Sequence, residues 1–453
     1  MSRRAFVVAA SAASAVASTS THALAAAKAE KVYDPALVGK SNFGQCADDE
    51  ALRAGWKKFC KTLEEAGDLV FKAYNPATPS QRADGYRFLT QNLGQAFDFS
   101  LEKNNTQYPE VHLFVSPFCK LGGDNPDCIY QSAWIDGKTA YKVTGNKGTA
   151  RIVNFTLMGP RLPPKDGWRP LSEPFGDIPH ANIYAHDLET DAQGNFELFI
   201  GGPKREKNWL ETKDVTRKLF IRQLFDDFKE APAILKIERV GMLEPRPAPT
   251  PADVIKAMEW SGNFLTTTMQ DNPEWGFQFS SMTTADVNTF PTDNNTIRDS
   301  SNNAKVDKFR GRTINNMNWK LAPDEAMLLE FDDPKSFWQL GNMGVFFNSM
   351  DFYQRTISWT PSRTKVDKDG KIRFVMSHDD PGYHNWIDTT GFTVGNLTSR
   401  NFLSDKFVDI HTRVVKRSKV AAAMPKDSVK VTKDERSAQM LERFHAIQKR
   451  YVL

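Results

Sequence analysis

Asp191-Ala192-Gln193-Gly194 runs into Asn195-Phe196-Glu197-Leu198-Phe199-Ile200, and the loop after it ends Asn208-Trp209-Leu210-Glu211-Thr212. Later the chain says the same thing again. Asp367-Lys368-Asp369-Gly370 leads into Lys371-Ile372-Arg373-Phe374-Val375-Met376, and the next loop ends Asn385-Trp386-Ile387-Asp388-Thr389. Gly194 to Asn208 is 208 − 194 = 14 residues and Gly370 to Asn385 is 385 − 370 = 15, a slip that a loop absorbs. Each copy reads as a tight turn on Asp and Gly, a strand, and a loop closed by Asn-Trp-aliphatic-acid-Thr. The pattern predicts an internal duplication of a β domain. It speaks to architecture and not to a reaction.

Working outward, both copies sit inside strand-rich country. Tyr141-Lys142-Val143-Thr144-Gly145 and Arg151 to Leu157 alternate as half-buried strands do, and Lys218 to Leu224 and Ala233 to Glu238 come after the first copy. Leu321 to Glu330, a turn and a strand, and Phe337 to Asn342 precede the second. Helices flank them. From Asp48 to Tyr74 the residues Leu52, Trp56, Phe59, Leu63, Ala66 and Val70 form one helical face. Thr78-Pro79-Ser80-Gln81 is a capping box with proline at the first helical position, opening a helix with Tyr86, Leu89, Leu93, Phe97 and Leu101 inward. Alternate prolines make Glu244 to Pro251 an extended linker, and Thr250-Pro251-Ala252-Asp253 starts a helix through about Gln270. Residues 280–303 form a polar loop. Thr432-Lys433-Asp434-Glu435 caps a basic C-terminal helix whose apolar face is Leu441, Phe444, Ile447 and Tyr451, with its lysines and arginines expected in solvent.

The fold class is α+β: two related antiparallel β-sandwich or jelly-roll-like domains with an N-terminal helical hairpin, a linker helix and a C-terminal helix. The boundaries are 1–27 for an export signal, 28–110 for the helical region, 111–243 for the first β domain, 244–275 for the linker and its helix, 276–420 for the second β domain and 421–453 for the terminal helix.

Composition narrows the function. The 453 residues carry a formal charge of +4, and removing a leader with Arg3 and Arg4 leaves +4 − 2 = +2, too mild to argue for nucleic acid. Arg3-Arg4-Ala5-Phe6 before an Ala/Ser/Val run, with Ala23-Leu24-Ala25 as a small-x-small cleavage site near Ala25 or Ala27, reads as a periplasmic export signal. The paired arginines suit the twin-arginine machinery, and a general secretory leader shares the other features. No later run is apolar for long enough to span a membrane. Four cysteines, Cys46, Cys60, Cys119 and Cys128, are expected to pair locally, Cys46 with Cys60 and Cys119 with Cys128. No CxxC spacing argues for zinc, and no metal is assigned.

Asp124-Asn125-Pro126-Asp127…Tyr130, Asp136-Gly137, Tyr141 to Gly145 and Gly148-Thr149 resemble the first half of bacterial proteins catalogued as domain of unknown function 1214. Leu321 to Ala326, Asp380-Pro381-Gly382 and Asn385 to Thr389 resemble the second half, and Gly85-Tyr86-Arg87…Leu89 and the basic terminal helix also fit. That resemblance implies β-sandwich domains with added helices. It implies no reaction and transfers no catalytic residue.

Chemistry is sought first in the repeat. If the two β domains pack about a pseudo-two-fold axis, Trp209 with Glu211 and Trp386 with Asp388 face one aromatic cleft. Two carboxylates beside aromatic platforms suit acid–base work on a sugar-like or other hydroxylated substrate. Arg222 and Arg400 come after the two copies at nearly matched distances and would clamp an acidic group. His378 and His384, in the second copy only, are added as proton-transfer candidates. The competing reading makes Asn-Trp-x-acid-Thr a structural corner, with the acid capping a turn. No dinucleotide, phosphate-loop or nucleophile-elbow motif is present, and the cofactor is unknown. The expectation is an exported protein binding a small or oligosaccharide-like organic ligand between two β domains, with lyase or hydrolase chemistry on the carboxylates. A non-catalytic envelope scaffold is the alternative.

Overall fold

Thr78 caps its helix as the box requires: its hydroxyl accepts from the Gln81 amide, and Pro79 occupies the first turn. The computed structural model describes residues 46–72, 75–160, 177–241, 244–281, 287–291, 312–404 and 407–451. The expected leader lies outside the described residues, as does most of the polar 280–303 loop. The chain divides into two compact units, Met1–Asp49 and Glu50–Leu453, and all the sheets lie in the second.

Three long helices, α1 (Asp49–Asp68), α2 (Pro79–Phe97) and α3 (Pro251–Ser281), gather around one apolar cluster. Phe59 meets Phe97 edge-on, and Phe99 meets Phe264 in the same way. The helical hairpin thus covers a sheet, through Phe114, Met158 and Phe220. Two aromatics assigned to its apolar faces stay out: Trp56 is 56% and Tyr86 43% exposed. α3 overruns its expected end near Gln270 and carries Pro273 inside it.

The first half contains β1 (His112–Val115), β2 (Cys128–Trp134), β3 (Tyr141–Asn146), β4 (Ile152–Gly159), β5 (Ile178–Tyr184), β6 (Asn195–Ile200), β7 (Trp209–Leu210), β8 (Lys218–Leu224) and β9 (Ile234–Arg239). The second contains β10 (Arg312–Lys320), β11 (Glu325–Asp332), β12 (Phe337–Met343), β13 (Ser358–Trp359), β14 (Lys371–Ser377), β15 (Trp386–Asp388), β16 (Val394–Phe402) and β17 (His411–Lys416). They form four sheets, ordered β1-β2-β8-β4-β5, β7-β6-β3-β9, β10-β16-β12-β13 and β15-β14-β11-β17. The fold is α+β with several mostly antiparallel sheets. Pairing is not purely antiparallel, as the sequence suggested. The tryptophan strands run parallel to their neighbours, β7 beside β6 and β15 beside β14.

Strand alternation fills the cores. Val153, Phe155 and Leu157 of β4 and Leu219 and Ile221 of β8 pack on Val143, Phe196 and Leu198 of the second sheet. Trp338, Leu340 and Leu397 pack likewise on Leu329, Phe331 and Phe374. The opposite faces of β8 and β16 meet in a small cluster of Cys128, Ile152, Leu224, Phe337 and Phe402. Here β2-β8-β4 and β16-β12 touch.

The chain ends in α4 (Val420–Ala423) and α5 (Lys433–Tyr451). Thr432 and Glu435 cap α5 reciprocally. Its arginines are not the solvated face expected of them. Arg436, Arg443 and Arg450, seven apart, are each less than a tenth exposed, while Leu441 is largely exposed. A seven-residue step brings a helix back to one face, and that face lies against the protein.

The four cysteines, expected to pair locally, stand as thiols in this structure. Cys46 and Cys60 are both exposed. Cys119 turns its Sγ to the Gln91 carbonyl of α2, while Cys128 is buried at the start of β2 beside Ile152 and Leu224.

Candidate functional site

The two Asn-Trp corners are built alike, atom for atom. Asn208 accepts from the Glu189 amide and donates to the Glu189 and Glu197 carbonyls; Asn385 accepts from the Lys365 amide and donates to the Lys365 and Arg373 carbonyls. The Trp209 indole donates to the Gly201 carbonyl and the Trp386 indole to the Ser377 carbonyl. These bonds clip a loop to a strand and occupy both N–H groups of each amide.

The acids differ. Glu211 is exposed, whereas Asp388 is buried, accepts from the Thr390 amide and pairs with Arg355 at 2.9 Å. Among the described residues no hydrogen bond, ion pair or ring contact joins Trp209 or Glu211 to Trp386 or Asp388. His378 bonds Thr389 through Nδ1 at 2.8 Å, and His384 Nε2 donates to the Arg363 carbonyl at 3.1 Å. Burial lowers the His384 pKa, so it stays neutral near neutrality. Among the described residues no group of three His, Cys, Asp or Glu side chains could hold a metal ion.

Arg222 and Arg400 are placed differently from the corners. Register puts Tyr130, Arg222, Asn154 and Tyr184 side by side across β2, β8, β4 and β5. It puts Ile314, Arg400 and Gln339 side by side across β10, β16 and β12. Arg222 precedes Leu224 by two residues and Arg400 precedes Phe402 by two, so each arginine shares a sheet face with a member of the cluster where the sheets meet. The next rows inward are Ser132, Phe220, Thr156 and Asn182 in one half and Asn316, Thr398 and Gly341 in the other. These faces are polar yet buried. Arg222 lies over Phe220, its carbon 4.1 Å from the ring centre, and Arg400 donates to Gln339 Oε1 at 2.8 Å and to the Gly123 carbonyl at 2.7 Å. Thr156 donates to Asn154, and Thr398 donates to Asn316.

Beside Arg400 lies the loop between β1 and β2, Cys119 to Cys128, which ties the halves together. Lys120, fully enclosed, donates to the carbonyls of Ser349 and Met350 at 2.5 Å each. Asp124 accepts from the Ser349 amide at 2.8 Å, and Asp84 of α2 accepts from Asn348 at 3.2 Å. Burial pushes the Lys120 ammonium down to about 8 and raises both carboxyls, with Lys120 pulling them back. Gly123 has φ +69, and a Cβ there would lie 2.4 Å from the Phe347 ring, so the loop's approach requires glycine. Sequence reasoning found Asp124 and Asp127 only as part of a resemblance and missed Lys120 and Asp84 entirely. A lone Lys before Gly-Gly carries no pattern of its own.

A groove of about 790 Å³ also opens on the outer face of β6-β3-β9, lined by Thr144, Glu197, Arg205 and Lys236. A narrower space of about 250 Å³ lies over β14-β11-β17, partly closed by Ala423 and Met424 at the end of α4.

Fold and site together define an α+β protein with a buried polar seam between two sets of sheets. No protein-family model matches the chain, and no curated protein matches it. Among solved structures, the chain is similar to an uncharacterized protein from Burkholderia cenocepacia: 26% identity, TM-score 0.71, covering 82% of this chain and 99% of that one. The VPA0106 protein from Vibrio parahaemolyticus aligns at 13% identity and TM-score 0.40, over 78% of this chain and 100% of that one. No helix among the described residues is long and apolar enough to cross a membrane.

Proposed function

We propose that this is an exported protein of two duplicated β-sandwich halves, of the kind catalogued as domain of unknown function 1214, that binds a small or oligomeric hydroxylated organic ligand with an acidic group at the seam between them. The observation that carries the reading is the matched pair Arg222 and Arg400, at equivalent register on adjoining polar faces. Duplication is supported by the strand orders: raising each strand number by eight turns β2-β8-β4-β5 into β10-β16-β12-β13 and β7-β6-β3-β9 into β15-β14-β11-β17. The sandwich reading is supported by the two clusters that each combine residues of two sheets. A guanidinium from each half gives planar, bidentate recognition of a carboxylate, and the flanking asparagine, threonine and tyrosine groups suit hydroxyls. The carboxylates available to such a ligand belong to the 119–128 loop, not to the corners.

The test is a thermal-shift screen of sugar acids and other hydroxy acids against the purified protein and its Arg222→Met variant. A compound should raise the Tm of the first and not of the second, while Glu211→Gln responds as the unaltered protein does. A shift that survives Arg222→Met but disappears in Glu211→Gln would return the site to the corners and overturn this assignment.

A further inference from the structure

Where α5 lies against the turn after β8, three arginines converge on one aromatic ring. The guanidinium carbons of Arg363, Arg443 and Arg450 lie 4.6, 5.5 and 5.6 Å from the centre of Phe228, and Arg450 also covers Phe225 at 4.3 Å. Arg443 and Arg450 are each 2% exposed. Among the described residues one fully buried carboxylate answers them: Asp127 Oδ1 lies 2.6 Å from Arg363 Nη2 and 3.9 Å from Arg450 Nη1.

The remaining acceptors are weak. Arg443 donates to the Ser358 carbonyl at 2.7 Å and its hydroxyl at 3.2 Å, Arg450 to the Asp227 carbonyl at 3.1 Å, and Arg363 to the Thr360 hydroxyl at 2.8 Å. Glu230 is the other carboxylate near Arg450; burial raises its pKa, and its Oε2 is taken by the Asp226 amide. Asp226 Oδ1 accepts from the Ser362 amide. Arg363 Nη1, Arg443 Nε and Arg450 Nε and Nη1 make no hydrogen bond. Among the described residues, even with Glu230 ionised, three guanidiniums, two of them almost fully buried, face two carboxylates. Burial together with mutual repulsion draws Arg443 down to about 9 and Arg450 to about 10, the direction a missing counter-charge dictates. An uncompensated buried charge is strongly destabilising, and pairing with an anion is the least costly remedy open to groups that keep their protons.

We propose that the Arg363–Arg443–Arg450 cluster binds a small oxyanion of the phosphate class, which completes the seating of the C-terminal helix on the seam between the halves. Guanidinium donors in a fork match phosphate oxygens two at a time. The oxyanion supplies the charge that Asp127 alone does not. The cluster adjoins the Arg222–Arg400 face through Gln339, which donates to Asp127 Oδ2 at 3.4 Å and accepts from Arg400 at 2.8 Å, but its unpaired donors are on other side chains and the proposal does not depend on the reading given to that face.

The probe is inorganic phosphate, titrated in the millimolar range at ionic strength held constant with sodium chloride, with Tm as the readout. Phosphate should raise the Tm by a few degrees where chloride does not, since a ligand that binds only the folded state stabilises it. Arg443→Met, which keeps length and apolar bulk, should abolish the rise. Asp127→Asn should move it to lower phosphate, because the positive excess grows. Arg222→Met should leave it intact, which separates this site from the ligand face. Equal responses to phosphate and chloride would overturn the proposal, as would a phosphate response that survives Arg443→Met. Should Arg443→Met fail to fold, an Asp127→Asn response no stronger than that of the unaltered protein overturns it equally.

Discussion

Asn208 and Asn385 do the same work in different surroundings, and the difference is measurable. Each side chain makes three hydrogen bonds to backbone, but Asn385 is buried, and Asn208 is partly open with φ +49. Replacing Asn385 by alanine strands two carbonyls and an amide away from water, for a cost of about 3 kcal/mol. At Asn208 water can reach the groups left behind, but alanine dislikes a left-handed backbone, and the two effects sum to about 2 kcal/mol. Glycine separates them. Asn208→Gly should be milder than Asn208→Ala because it relieves the backbone, while Asn385→Gly should be worse than Asn385→Ala because it only adds chain entropy to the unfolded state. Urea unfolding of the four variants checks the crossover; the same order at both corners would mean that backbone conformation plays no part. Trp209 and Trp386 were readable as a pair from their spacing. That their partners are carbonyls of the same corner was not, because a tryptophan donor has the same letter whether it faces a ligand or a loop.

At the scale of elements, α5 shows what local pattern can and cannot reveal. Its cap was legible because Thr432 and Glu435 act on each other across one turn. Ile447 was legible as apolar and is buried in the larger core. The burial of Arg436, Arg443 and Arg450 was not legible, because their partners come from elsewhere: Asp380 and the Tyr383 carbonyl for Arg436, Ser358 for Arg443, Asp227 for Arg450. The Arg436 guanidinium also covers Trp386 at 5.2 Å, so the helix holds the second corner in place. Charge normally marks the outside of a helix, and only the seven-residue interval hinted otherwise. Arg436→Ala should therefore destabilise by about 2 kcal/mol, through lost packing on Trp386 and the Tyr383 and His384 carbonyls left without their donor. Leu441→Ser on the open face should stay within about 0.5 kcal/mol of the unaltered protein. Chemical denaturation that ranked Leu441→Ser as the worse change would mean the helix sits the other way round. Arg222 and Arg400 were readable from their distances to the repeat, whereas Lys120 with Asp84 and Asp124 required three segments to meet.

Over the whole molecule, buried ionisable groups decide how stability varies with pH. His112 of β1 is 3% exposed, bonded to Ser132 through Nε2 at 3.2 Å and to the Glu110 carbonyl through Nδ1 at 3.3 Å. Burial is the main force lowering its pKa to about 4; Lys103 and Lys218 lower it further, against the pull of the Glu110 carbonyl. Unfolded, the same imidazole titrates near 6.5. Between those values the unfolded chain binds a proton that the folded chain refuses, so stability rises with pH there and is lost as pH falls from about 6.5 to about 4. The full loss from this one group is on the order of 3 kcal/mol. His180 and His384, also lowered by burial, act with the same sign. Asp84 and Asp124 act against them: their raised pKa values make the folded chain the better proton acceptor above 3.8, so acidification favours folding through those two. The opposing sets make the total slope a poor witness to any single group, and a variant is needed. His112→Gln keeps a donor and an acceptor but does not titrate. Urea midpoints at about pH 7 and about pH 5 should fall less in His112→Gln than in the unaltered protein, with the curves converging toward acid. Parallel curves would show that His112 takes up its proton in the folded state as readily as in the unfolded one, and that the β1–β2 edge is open to water.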